Sequence, residues 1–254
     1  VMVNATVGRC GESVGYAGWM ANKLVNGEVQ STLAHLAQTT RAAIPPLHPA
    51  GRPFVAGGLT VAALGWGHPL VRRLGLGFAA ASVAFFRNPA RVTPGNQGAV
   101  IAAADGEICA VDFAVPPVES GLGEHALRRI STFLSITDVH VQRAPLTGTV
   151  TVSTRVPGQF LSADLSEASE LNERNTVVIE TAAGAQIAVV QVAGLIARRI
   201  VCDISAGDTV QAGAVYGLIR FGSRVDLYLP YDCDPQVALG QRAVGGETVL
   251  ARLP

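Results

Sequence analysis

Lysine is almost missing from this chain. Of 19 basic residues in 254, 18 are arginine and Lys23 is the single lysine. Chemistry that needs a lysine amine, such as a pyridoxal-phosphate linkage or a biotin or lipoyl attachment, would therefore have to use Lys23. Charge as a whole is scarce: Asp, Glu, Lys and Arg make up 15% of the residues, against roughly 25% in an average soluble domain. The 19 basic and 19 acidic residues cancel, and a neutral chain without a basic stripe excludes nucleic acid as the main partner. Cysteines are few and scattered, at Cys10, Cys109, Cys202 and Cys233. With no C-x-x-C pair they offer neither metal-ligand spacing nor a disulfide framework, and they read as small buried apolar residues in a reducing compartment. The first twenty residues lack a basic stretch ahead of an apolar one, which argues against a signal peptide. No G-x-G-x-x-G follows a strand and no βαβ alternation appears, so a dinucleotide-binding fold is not expected.

What the chain has in abundance is apolar residues, 49% of the total, with a mean hydropathy of +0.34. That length and composition supply a core without disulfide staples, and the excess points to contact with a membrane. Three segments follow in order. Residues 1–50 read as an N-terminal arm and one helix, with Ser31 as N-cap and a stop before Pro45-Pro46. Residues 51–87 hold two apolar runs, FVAGGLTVAALGWG and LGLGFAAASVAFF, of 14 and 13 residues. Each is shorter than the roughly 20 residues that span a bilayer. With His68, Pro69, Arg72 and Arg73 between them, they predict a helical hairpin that enters a membrane surface without crossing it, the alternative being a buried core hairpin. Arg87 and Arg91, just after it, are expected to extend a positive collar on the cytoplasmic side. Residues 88–254 are mainly β: short runs rich in Val, Ile, Thr and Phe alternate with Gly, Pro and Asp. Within them SAGDTVQAGAVYGLI is similar to the turns of biotinyl and lipoyl domains, which predicts a barrel-sandwich-hybrid-like catalytic domain. No lysine is there to carry such a cofactor.

Three constellations could carry chemistry. Gly222-Ser223 follows an apolar strand and by itself reads as a turn. In TDVHVQRAP, His140 alternates with Val139 and Val141 at a strand end, where a lone histidine is more often structural. Asp105-Gly106 by itself reads as a hairpin turn. Arg198 and Arg199 sit in an apolar run where one should point inward and need a partner; Arg128-Arg129 reads as an exposed pair.

Taken in order, FFRNP, AAADGEI, SITDVHVQRAP and FGSR resemble the phosphatidylserine decarboxylase proenzymes, in particular the short bacterial form, over roughly residues 54–254. The resemblance implies that the precursor cuts itself between Gly222 and Ser223. The Ser223 hydroxyl attacks the Gly222 carbonyl, the amide becomes an ester, and elimination releases a large subunit, 1–222, from a small one, 223–254. Ser223 ends as a covalent pyruvoyl group, the pyruvate cofactor, whose ketone takes the amine of phosphatidylserine and accepts electrons as CO2 leaves, giving phosphatidylethanolamine. The poverty in lysine fits a cofactor made from the backbone. The resemblance also implies that Asp105 orients a histidine and that His140 is that histidine, a general acid/base. Longer relatives carry a second histidine where this chain has Arg143, which cannot act as a base. Either His140 serves both stages or self-cleavage uses Asp105 or water differently; the first is expected. Arg143 would hold a substrate carboxylate or phosphate, or form a structural ion pair. Arg224, after the serine, has no assigned role. The expected partners are phosphatidylserine, the cytoplasmic membrane surface, and the two subunits of one precursor as a heterodimer, with higher assembly left open. A non-catalytic membrane-anchored adaptor with a lipoyl-like fold, or a pyruvoyl decarboxylase of a soluble amino acid, are the competing readings.

Overall fold

The computed structural model describes residues 45–160, 171–194, 199–220 and 223–253. The expected arm at 1–30, the helix after Ser31, and Lys23, Arg198 and Gly222 lie outside them. The first apolar run forms α1 (Arg52–Leu64) and the second α2 (Pro69–Phe85). Each carries proline in its first turn, where the missing N–H has no intrahelical partner to lose. The two pack antiparallel through small residues. A Cβ on Gly58 would lie 2.8 Å from the Ala79 nitrogen, and one on Gly75 only 2.5 Å from that of Ala62. Gly58-x-x-x-Ala62 and Gly75-x-x-x-Ala79 thus form a small-residue seam that lets the backbones touch. Small seam residues leave the large apolar ones facing outward: Leu59, Leu64, Trp66, Leu70, Leu74 and Phe78 are all exposed. Among the described residues no helix is long and apolar enough to cross a membrane.

Fourteen strands dominate the rest of the described residues, and the architecture is mainly β as expected. They are β1 (Ala99–Ile101), β2 (Gly106–Ala114), β3 (Leu127–Leu134), β4 (Val141–Arg143), β5 (Gly148–Val156), β6 (Arg174–Glu180) and β7 (Gln186–Ala193), followed by β8 (Ile200–Cys202), β9 (Thr209–Val210), β10 (Val215–Ile219), β11 (Ser223–Leu229), β12 (Asp234–Pro235), β13 (Arg242–Ala243) and β14 (Val249–Arg252). One curled sheet runs β13-β2-β3-β11-β7-β6-β5-β9, and two three-stranded sheets run β1-β14-β12 and β4-β10-β8. The main core lies on the inner face of the large sheet, where Ile130, Val189, Val225 and Leu227 meet Val100, Leu250, Tyr216 and Ile219 from the small sheets. A second apolar cluster, with Val178, Val190, Val192 and Tyr228, covers the outer face. The central strand β11 is therefore buried on both sides at all seven positions. Phe85 and Phe86 at the end of α2 pack with Leu218 and join the hairpin to this body.

Candidate active site

The register of the large sheet gathers the three motifs. Ser223, first residue of β11, stands opposite Leu134 at the end of β3 and Ala193 at the end of β7. Glu107 of β2 stands opposite Phe133, so Asp105 precedes β2 at this same end. The chain leaving β3 after Leu134 turns through 135–138 and arrives at His140 just before β4. Two tight passages fix the geometry. A Cβ on Gly106 would fall 2.1 Å from the Phe133 carbonyl oxygen, and one on Gly245 2.9 Å from the Ala104 backbone. The Asp105-Gly106 pair is not a hairpin turn: β1 pairs with β14, β2 pairs with β3 and β13, and Asp105 sits in the bend between two sheets.

Ser223 is fully buried and its Oγ has no hydrogen-bond partner among the described residues. It shares the inner face with Val225 and Leu227. His140 is also fully buried, between Val139 and Val141, which are buried as well. Its ring lies against that of Phe85, centroids 4.2 Å apart. Its Nδ1 is 3.0 Å from the Asp138 carbonyl oxygen. A carbonyl only accepts, so Nδ1 carries the hydrogen and Nε2 presents its lone pair. Burial pushes the His140 pKa down to about 4, against the upward pull of the Asp138 bond and charge, while Arg87 pushes it further down. The imidazole is neutral at pH 7 and able to take a proton.

Asp105 accepts from the backbone N–H of Gly245 at 2.7 Å and from Arg91 at 2.6 Å. Burial raises its pKa above the ordinary carboxylate value; the Gly245 N–H and Arg91 oppose that, and Asp138 adds to it. Asp138 in turn receives Arg242 and holds the Ser135 N–H at 2.9 Å, which closes the turn ahead of His140. Asp105 and His140 are thus tied to neighbouring parts of one charged cluster. The described carboxylate bonds of Asp105 go to Arg91 and Gly245.

Arg143 donates to the Gly213 carbonyl at 2.9 Å, to Asn88 Oδ1 at 2.6 Å and to the Pro89 carbonyl at 2.8 Å. It binds the segment after α2 to the turn before β10. Arg224 points to the opposite face from Ser223, buried, and pairs with the fully buried Asp226 at 2.9 Å. The pair Arg128-Arg129 is half-buried rather than an exposed rim: Arg129 clasps Asp112 through two bonds of 2.9 and 2.7 Å, and Arg128 lies 3.8 Å over the Phe113 ring. Arg91 does not face outward as a collar would need. Arg87 donates to the Ala84 and Thr137 carbonyls, and Arg91 is turned inward to Asp105. Arg199 is exposed, just outside β8. Phe85, Asp138 and Gly245 carry no role in the sequence motifs, and Arg91, expected in a surface collar, instead bonds Asp105. Arg91 and Asp138 sit in or beside quoted motifs, and the glycine pair Gly245-Gly246 marks a close approach.

A buried serine, a neutral histidine and a held carboxylate lie toward one end of a sheet and form a candidate centre. The comparisons give its family. The family model described as phosphatidylserine decarboxylase matches residues 78–251. A phosphatidylserine decarboxylase proenzyme of Mycobacterium marinum is 56% identical over 220 residues, covering 87% of this chain and 92% of that one. Proenzymes of the same name from Rhodococcus jostii and Nocardia farcinica are 55% and 57% identical, covering 88% and 87% of this chain and 94% and 93% of theirs. The chain belongs to the phosphatidylserine decarboxylase family.

Proposed function

We propose that the chain is a precursor that severs its own backbone between Gly222 and Ser223 and, so activated, decarboxylates phosphatidylserine to phosphatidylethanolamine. The observation that carries this reading is the convergence of Ser223, Asp105 and the His140 loop at one end of the large sheet. Ser223 Oγ is the nucleophile: it forms a bond to the Gly222 carbonyl carbon, the C–N bond breaks, and an ester replaces the amide. A hydroxyl needs a base for this step, and we assign that role to the neutral Nε2 of His140, which lies just past the turn that leaves the end of β3 opposite Ser223. Asp105 supplies a fixed negative charge that steadies the cluster when His140 is protonated. The ester then eliminates: the Ser223 Cα gives up its proton, the Cβ–Oγ bond breaks and Oγ leaves with the Gly222 carboxyl, and water hydrolyses the remaining dehydroalanine to ammonia and a pyruvoyl group whose ketone stands at the former Cα, at the buried head of β11 between β3 and β7. Once formed, that group supplies the ketone that takes the substrate amine and draws off electrons as CO2 leaves. His140 then returns a proton from Nε2, serving both stages, which also accounts for Arg143 in place of a second histidine.

The lipid substrate is favoured over a soluble amino acid by the hairpin. Leu64 and Trp66 at its tip are 83% and 75% exposed, and a soluble substrate gives no reason to show them to water. We place the hairpin in the headgroup region of the cytoplasmic leaflet, as a peripheral or monotopic anchor, with Arg72 and Arg73 near anionic lipid at about 1 kcal/mol each. Denaturing electrophoresis with intact-mass analysis tests the reading. Fragments 1–222 and 223–254 are expected, the small one blocked to amino-terminal sequencing, and Ser223→Ala should stay full-length and inactive. Cleavage of that variant at the same bond would overturn the mechanism.

A further inference from the structure

The segment that leaves the hairpin, residues 85–91 (FFRNPAR), touches the centre at nearly every step. Phe85 lies ring to ring with His140. Phe86 is stacked on Phe54 at 5.2 Å, and its carbonyl accepts from the His48 N–H at 2.9 Å. Arg87 donates to the Thr137 carbonyl at 2.7 Å, three residues ahead of His140. Asn88 and Pro89 receive Arg143. Arg91 reaches Asp105. The chemistry proposed above uses neither Phe85 nor Arg91, yet one stretch of seven residues brings both to the two groups that matter.

We propose that residues 85–91 are a positioning strap, in which Arg91 fixes Asp105 and Phe85 fixes His140, so that the docking hairpin and the reacting groups move as one piece. This rests on the roles given to Asp105 and His140 above. Asp105 has two oxygens to satisfy in a mostly buried place, where the Arg91 and Asp105 side chains are 15% and 16% exposed. Gly245 N–H holds Oδ1 and Arg91 holds Oδ2. The charged groups facing Asp105 are Arg91 from the strap, Asp138 from the turn after β3, Arg242 from β13 and Arg143 from β4. Arg242 is engaged by Asp138, and Arg143 by Asn88, Pro89 and Gly213. Of the three cations, Arg91 is the one bonded to the Asp105 carboxylate. Without it, burial and Asp138 push Asp105 to keep its proton to higher pH. Phe85 in turn walls His140 from water, and Asp138 and Arg87 are the charged groups facing that ring.

Freshly synthesised full-length precursor, followed over a pH series by denaturing gel, tests the Arg91 half. In Arg91→Gln the acid limb of self-cleavage should move up by about one pH unit, roughly a tenfold slower cut at fixed pH on that limb. Arg91→Lys, which keeps the charge but not the planar fork, should retain the limb and cut more slowly than wild type. A wild-type rate in Arg91→Gln, or a slower cut with an unmoved limb, would overturn the role. If Arg91→Gln does not fold, a wild-type rate in Arg91→Lys overturns it instead. For Phe85→Leu, the acid limb of kcat/KM for CO2 release should shift upward as water reaches His140; an unmoved limb removes Phe85 from the strap. Ser223→Ala separates the two ideas: its cleavage would defeat the self-cutting mechanism, whereas unchanged Arg91 and Phe85 variants defeat the strap alone.

Discussion

His140 shows how far burial alone sets a residue's chemistry. In the folded protein its pKa falls to about 4 from an ordinary 6.5. Between those values the unfolded chain binds more protons, so stability rises with pH through that window and drains away as solution is acidified from 6.5 towards 4. Denaturation midpoints measured across this range should slope upward with pH, and the slope should flatten in His140→Gln; equal slopes would refute a neutral buried imidazole. His48, also pushed down by burial, adds to the wild-type slope with the same sign. Asp105, with its pKa raised, contributes the reverse slope just above 3.8. The pair Arg224–Asp226 poses a second test. Removing one partner of a buried ion pair costs on the order of 3–5 kcal/mol. Asp226→Asn should therefore lower stability by that order in chemical denaturation, and a change near zero would mean that solvent reaches the pair. The RVDLYL run begins by alternating charged and apolar residues, Arg224, Val225, Asp226 and Leu227. Both faces are in fact covered. Glu119, in the connection between β2 and β3, bonds Arg174 and Thr176 on the same outer face that holds Arg224 and Asp226, and no local pattern announces a cover supplied from a distance.

At the scale of elements, the hairpin was the most legible part. Long apolar runs with proline at their starts leave few alternatives, and α1 and α2 lie inside the expected 51–87. Its seam yields a direct test. Gly75→Val drives a side chain into the Ala62 backbone, so the helices must part; a thermal midpoint equal to wild type would show that the seam is not tight. On the outer side, Leu64→Asp, Trp66→Asp and Leu70→Asp together should abolish flotation with anionic vesicles. Each buried apolar side chain contributes about 1.5–3 kcal/mol, and the triple variant should keep self-cleavage intact. Retained flotation would send the anchor elsewhere. The strands from β1 to β11 were mostly legible too, as Val- and Ile-rich runs between turn residues. The terminal ones were not. Asp234–Pro235 and Arg242–Ala243 have no β pattern, and they become strands only because β14 and β2 receive them. For the same reason the motifs named Asp105, His140 and Ser223 without their supports. Arg91 and Gly245 lie 14 and 140 residues from Asp105, and only the fold brings them to it.

Across the whole molecule, the proposed cut falls at an unusual place. Three of the four strands after it are woven into what precedes it: β11 between β3 and β7, β13 along β2, β14 along β1. Gly245 reaches across to hold Asp105. The severed pieces should therefore elute together from a sizing column and separate only in denaturant; separation in plain buffer would contradict the interleaving. A protein stitched in this way cannot trade parts. Two defective versions mixed in a tube, one lacking the nucleophile at 223 and one lacking the imidazole at 140, would each keep its own halves, and no working hybrid should emerge unless both are first unravelled and allowed to refold in company.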